Sequence, residues 1–305
     1  CPDFSVGGKN RGGGGENGKL TETYVELICR YQPDFFLFEN VKGLWSTAKH
    51  RLFYDRMKSR LEQNGYLITD SLINALEYGV PQSRERAIAI GFRSDLVPAK
   101  SSHELSSQFS WDRNKLFSID KIMSYPWSKT DPFTENLPLD CPVGIPVNLT
   151  VEYWFKKNNV NHHPNSHHSF TPRAGLIRFL SVLEGDDSKK SYKRLHRWRY
   201  SPTACYGNNE VHLHPYQARR ISVAEALAIQ SLPPEFELPS KMSLTDMFKS
   251  TGNGVPFLAA KGLATTINEF LVGNCSLKRS AAIDPNYHLQ TLHLEKQLSL
   301  LDLIR

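Results

Sequence analysis

The chain has 305 residues, 40% hydrophobic and 22% charged, with 37 Lys and Arg against 31 Asp and Glu, a net charge of +6 and a pI near 9.0. That length buries a sizeable core and suffices for two ordinary domains, and the basic balance leans towards a polyanionic partner. Five cysteines without a C-x-x-C pair argue against a disulfide framework or a standard zinc site and fit a reducing, cytoplasmic setting, and no apolar run approaches the roughly 18 residues of a membrane span.

Cys1-Pro2-Asp3-Phe4-Ser5 opens the chain with a thiol, the residue type of a covalent nucleophile. Residues 7–18 hold seven glycines. Such a run is costly to order, and beside a candidate nucleophile it reads as a mobile lid that closes on substrate rather than an inert linker. Tyr24, Leu27, Ile28 and Tyr31 recur at helical spacing and predict a helix over residues 21–31. The continuous apolar run DFFLFEN, 34–40, reads as a buried parallel strand with Glu39 near its carboxyl end. A helix over 47–64, stopped by Gly65, comes next. Residues 66–72 and 87–92 read as two further strands around the Gly79-Val80-Pro81 loop. The alternation predicts an α/β fold with an open sheet, in which ligands bind at the carboxyl ends of strands.

Over 94–215 the periodic pattern breaks up. A structureless loop of that length does not belong inside one compact domain, so the stretch is expected to be a separate, irregular, β-containing domain between catalytic parts at 1–93 and 216–305. Order returns at 220–233, RISVAEALAIQSLP, where Ser222 and Glu225 fit a capping box. Gly252-Asn253-Gly254-Val255-Pro256 precedes a helix over 257–272, and residues 292–304 look amphipathic.

Glu39-Asn40-Val41 stands at one strand end, and Gly79-Val80-Pro81-Gln82-Ser83-Arg84-Glu85-Arg86 leads into another strand. Arg84 and Arg86 alternate along an extended segment, so both point to one face. A thiol, a carboxylate and paired arginines at strand edges are what attack on an electron-poor ring needs. In this order the three blocks resemble the cytosine-5 DNA methyltransferases, with their Pro-Cys, Glu-Asn-Val and Gln-x-Arg-x-Arg segments. Residues 220–233 resemble the family's ninth motif, and 252–256 the tenth, with Gly254 where Ala or Ser is usual.

The resemblance covers nearly the whole chain outside 94–215 and the tail. It implies an open, Rossmann-like S-adenosylmethionine-dependent sheet with an inserted target-recognition domain, and methyl transfer to C5 of a cytosine flipped out of duplex DNA. Cys1 inherits the role of nucleophile at C6. Glu39 inherits the hydrogen bond to N3, which a carboxyl in a dry pocket, holding its proton more readily, would serve well. Arg84 and Arg86 fall near the cytosine O2, a phosphate and the nucleophile loop. Asn253 and Val255 fall on the wall of the S-adenosylmethionine pocket, and Ser5 and Gln82 among the DNA contacts.

Within 94–215, now the expected recognition domain, Arg194 and Arg197 lie in a basic run interleaved with Trp198 and Tyr200. Such a run suits phosphate contacts, with a solvated charged face as the alternative. Thr203 matches the Thr-containing end of family recognition domains. His162, His163, His167 and His168 have no Cys or acidic ligand nearby and read as a polar loop, so no metal is expected.

Absent are the family's opening blocks: the glycine-rich cofactor loop, the acidic ribose partner and the Pro-rich lead into the nucleophile. The chain is therefore expected to need an N-terminal half or complementing polypeptide. A piece of a longer protein, one half of a split enzyme and the product of a self-splicing insert stay open as origins. A bacterial or phage-like modification enzyme is expected, partnered by a restriction enzyme or solitary. A non-catalytic DNA-binding half and an RNA methylase of the same fold are the competing readings.

Overall fold

The computed structural model describes residues 3–5, 11–172, 176–189, 191–206 and 210–274. Cys1, residues 7–10 and the amphipathic 292–304 stretch lie outside them. Gly12–Gly14 form a 3-10 turn, the Gly12 amide donates to the Asp3 carbonyl at 2.8 Å, and a Cβ on Gly15 would lie 2.3 Å from the Asp3 side chain. Close approach is what Gly12 and Gly15 serve here, and 11–18 form a turn and the start of a helix. Helix α1, Glu16–Tyr31, accordingly starts before the expected residue 21.

Strand β1, Phe35–Val41, leads through the short α2, Lys42–Ser46, to α3, Ala48–Gln63. Gly65 follows in the left-handed region at φ 88°, which terminates the helix as its sequence promised. Strand β2, Tyr66–Asn74, a 3-10 turn over Ala75–Tyr78 and strand β3, Glu85–Arg93, complete the sheet.

The strand order is β1-β3-β2, and both pairings are antiparallel. This corrects the expected parallel, doubly buried β1. Phe36 is buried on one face, whereas Phe35 and Leu37 are 45% and 39% exposed on the other. A short apolar run does not by itself separate a central strand from a lateral one. Central β3 divides its faces by size. Ile88, Ile90 and Phe92 pack with one core, while Ala89 packs in the other and Gly91 lies against the Phe36 ring. A Cβ on Gly91 would come within 2.1 Å of that ring, so glycine lets β1 close on β3.

Residues 94–215 carry α4, Ser102–Gln108; α5, Ile119–Ser124; α6, Val151–Lys157; and α7, Leu176–Ser181. Ser101, Ser118 and Thr150 cap the first three through their side-chain oxygens. Among the described residues of this stretch no strand forms, and the expected β content reduces to isolated bridges such as Asp131 with Glu184. Helices α8, Val223–Ile229; α9, Leu244–Asn253; and α10, Phe257–Asn274, follow. The Ser222–Glu225 capping box forms in both directions, at 3.3 and 2.7 Å.

One core fills the α1/α3 face of the sheet, and a second fills the α10 face, where Val97, Leu105 and Phe109 join it. A third surrounds α8, whose seven residues are all buried, and draws in Trp154, Leu195, Ala204 and Tyr206 with Phe248 of α9. Both ends of 94–215 thus share cores with their neighbours.

Candidate active site

Antiparallel register sets Val41 of β1 opposite Arg86 of β3, two residues from Glu39. The Arg86 Nε reaches the Glu39 Oε1 at 2.7 Å, with the two side chains 14% and 27% exposed. Glu39 is therefore ion-paired at a half-open strand end, not in the dry pocket expected of it. Phe4 is fully buried edge-on to His50, and its carbonyl lies so close to Gly43 that a Cβ there would be 2.0 Å away. The Asp3–Ser5 segment, which follows Cys1, is tucked against the turn that follows Glu39-Asn40-Val41. Ser5 is half-buried on this segment.

Arg84 is 3% exposed and does not face a phosphate site, which corrects its expected role. Its Nη1 donates to the Ala204 carbonyl at 3.1 Å and its Nη2 to those of Gly252 and Gly254 at 2.9 and 3.2 Å. Burial, reinforced by the charge of Arg86, lowers its pKa to about 10, so it stays cationic at neutral pH. Gln82, expected at DNA, is fully buried beside it. Its Oε1 accepts from the Ala204 amide at 3.0 Å and its Nε2 donates to the Gln230 Oε1 at 3.1 Å, while Gln230 donates onward to the Thr251 carbonyl. Thr203 spends its hydroxyl proton on the Ser83 carbonyl at 2.7 Å. Arg84 and Gln82 thus tie three distant segments together, 82–84, 203–206 and 251–254. Sequence reasoning missed Gln230, and only its place in the ninth-motif block could have flagged it.

The exposed face of β1 and one side of α10 enclose an open groove of about 420 Å³, lined by Phe35, Leu37, Glu39, Val255, Leu263 and Ile267 among others. Val255, expected at the cofactor pocket, lines this groove. Asn253, the exposed last residue of α9, is not part of the lining. The wall is apolar apart from Glu39 and Asn268, which fits one flat side of S-adenosylmethionine but offers its ribose and carboxylate no cationic partner and only the Asn268 amide as a side-chain donor from the lining.

Arg194 and Arg197 are the plainest corrections. Arg194 is fully buried and donates to the carbonyls of Val182 at 2.9 Å, Gln217 at 3.0 Å, His214 and Phe179, with its guanidinium 3.7 Å from the Phe133 ring centroid. Burial lowers its pKa to about 10. Arg197 is buried in a bidentate pair with Glu184, 2.8 Å on each arm, and donates to the Leu137 carbonyl at 2.8 Å. Neither guanidinium is offered to solvent. His163 is held between the Asn165 amide and the Phe236 carbonyl.

A family model of the C-5 cytosine-specific DNA methylases matches residues 1–269. The Type II methyltransferase M.NmeDI of Neisseria meningitidis serogroup C is 58% identical over 273 residues, 89% of this chain but 62% of that protein. The Type II methyltransferase M.FnuDI of Fusobacterium nucleatum is 30% identical over 284 residues, 92% of this chain and 77% of the relative. Among solved structures, a candidate DNA modification methyltransferase encoded within an E. coli prophage shares the fold, with a TM-score of 0.56 at 20% identity, over 89% of this chain and 77% of the other.

Proposed function

The chain belongs to the C-5 cytosine-specific DNA methylases, and from that premise we propose that it is the base-activating and DNA-reading part of an enzyme that methylates C5 of cytosine in duplex DNA. The observation that carries the reading is the Glu39–Arg86 pair at 2.7 Å, held at a strand end whose following turn packs against the segment after Cys1. The Cys1 thiolate adds to C6 of a flipped cytosine, and the ring electrons move towards N3, where Glu39 holds the hydrogen bond. Arg86 fixes the carboxyl group in place. S-adenosylmethionine supplies the electrophilic methyl group when bound. Loss of the C5 proton then restores the ring double bond as the C6–S bond breaks and the Cys1 thiolate leaves.

Val255 and the apolar face of α10 offer one wall of the cofactor site. A preceding polypeptide would supply the rest, and the second edge of β1, unpaired by any described strand, supports a larger open sheet that continues there. Residues 94–215 serve as the target-recognition part. A Type II modification role is carried over from the relatives' names, and no helix among the described residues is long and apolar enough to cross a membrane.

The test joins this chain to the rest of its protein and supplies S-adenosylmethionine with duplex DNA in which 5-fluorocytosine replaces cytosine. Fluorine cannot leave as a proton does, so a covalent adduct should accumulate on Cys1 and vanish in Cys1→Ser. An adduct mapped to Cys29, Cys141, Cys205 or Cys275, or turnover that survives Cys1→Ser, refutes the assignment.

A further inference from the structure

Helix α7 has the sequence LIRFLS, and of its apolar residues only Phe179 is buried. Leu176, Leu180 and the nearby Leu183 are between 43% and 48% exposed, and Ile177 is 82% exposed. Scattered exposed aliphatics are ordinary, but four within eight residues make a patch of the kind that marks an interaction site. Tyr192 stands beside it in the left-handed region at φ 61°, an uncommon conformation for a bulky side chain. Its ring packs 5.6 Å from that of Phe179, with the Arg178 guanidinium 4.6 Å and that of Arg220 5.8 Å from its centroid. The Arg220 Nε is buried with no hydrogen-bond partner.

Rigidity comes from behind. Arg194 donates to the carbonyls of Phe179 and Val182, so the last turn of α7 is pinned to the third core's edge. The basic residue that the sequence suggested as a DNA ligand instead braces the helix that presents the patch.

Resting on the function proposed above, we infer that α7 and Tyr192 form the face that reads duplex DNA, with Ile177 and Leu180 against base edges and Arg178 against the backbone. Charge selects the partner. Arg178 and Arg220 pack against the Tyr192 ring, and Lys189 and Lys193 lie near Tyr192 in the chain, whereas Asp187 is paired with Arg199 and Asp186, hydrogen-bonded to Ser188, is left as the nearby acid that keeps its charge. A second copy of this chain would bring the same cations. A DNA groove brings phosphates for the arginines and thymine methyl groups for the aliphatic side chains.

The experiment needs no cofactor. A duplex pool with a randomised core is enriched on this chain, and affinities for the enriched duplex and for an unselected one are measured across salt concentrations. Ile177→Ser should weaken the enriched duplex by about ten- to hundred-fold and leave the unselected one nearly unchanged, because apolar base-edge contacts carry sequence information. Arg178→Ala should weaken both and lower the log–log salt slope by about one unit. Both residues are exposed, and an unchanged melting temperature confirms folded variants. If wild type binds and selects DNA but Ile177→Ser retains that selectivity, the inference is overturned while the methylase reading stands. If Ile177→Ser converts a dimer to a monomer, the patch is a contact between copies and the inference fails. No duplex binding by wild type would refute both.

Discussion

Arg194→Ala separates the structure's account of the basic run from that suggested by composition. The native guanidinium satisfies four backbone carbonyls, those of Phe179, Val182, His214 and Gln217, in a site closed to solvent. Each buried acceptor left without a donor costs about 1–3 kcal/mol. The Phe179 and Gln217 carbonyls also accept the Val182 and Arg219 amides, so the two left without a donor, those of Val182 and His214, would cost on the order of 2–6 kcal/mol, less whatever water entering the vacated space recovers. The lost contact with the Phe133 ring adds about 0.5–2 kcal/mol. A net loss on the order of 2–6 kcal/mol is expected, a large fraction of the 5–15 kcal/mol margin of an ordinary domain. Urea unfolding followed by circular dichroism reads the loss, and the salt dependence of DNA binding reads the alternative. A variant as stable as wild type, whose salt slope falls by one unit, would mean that Arg194 touches phosphate, and the brace argument would be wrong.

Gly43→Ala should act on chemistry through position alone. The new Cβ meets the Phe4 carbonyl, which is backbone and cannot swing aside, so the Cys1 segment must shift relative to Glu39. In the joined enzyme methyl transfer should fall on the order of a hundred-fold with DNA affinity nearly unchanged, and an unaltered single-turnover rate would refute the placement. Acid should also destabilise the fold early. Burial, with the nearby Lys193 charge, depresses the His212 pKa to about 3, and burial lowers that of His214. Both histidines are neutral when folded and bind protons more readily when unfolded. Stability is therefore full above the unfolded pKa near 6.5 and falls by about 1.4 kcal/mol per pH unit for His212 as pH drops towards 3, with His214 adding in the same direction. Urea midpoints that stay flat from about pH 7.5 to about 5 would contradict this.

What was legible in the sequence is what depends on near neighbours along the chain. The Ser222–Glu225 capping box closes within four residues, and Gly65 ends α3 by its own φ, so both were readable. The cap at Ser243, whose hydroxyl accepts the Asp246 amide, gave the same kind of signal for α9, a helix the reading passed over. The direction of β1 was not readable, because its partner β3 lies more than forty residues away and the run FFLFENV suits either pairing. The arginines make the sharper case. Arg86 and Arg194 are the same residue type, each in a block that suggested chemistry. One meets a carboxylate at a half-open strand end, while the other meets carbonyls from 12 to 23 residues away inside a core. Nothing local to either residue encodes that difference. A guanidinium has five donors and no acceptor, so whether it serves a ligand or the fold depends on which acceptors the tertiary structure brings to it. Among the described residues of 94–215 no regular sheet satisfies the backbone carbonyls, and buried arginines take over part of that task. Arg194 and Arg197 of the basic run are for that reason turned inwards, and in the reading inferred above DNA contact falls to the cations and aliphatic side chains of the α7 face that Arg194 braces.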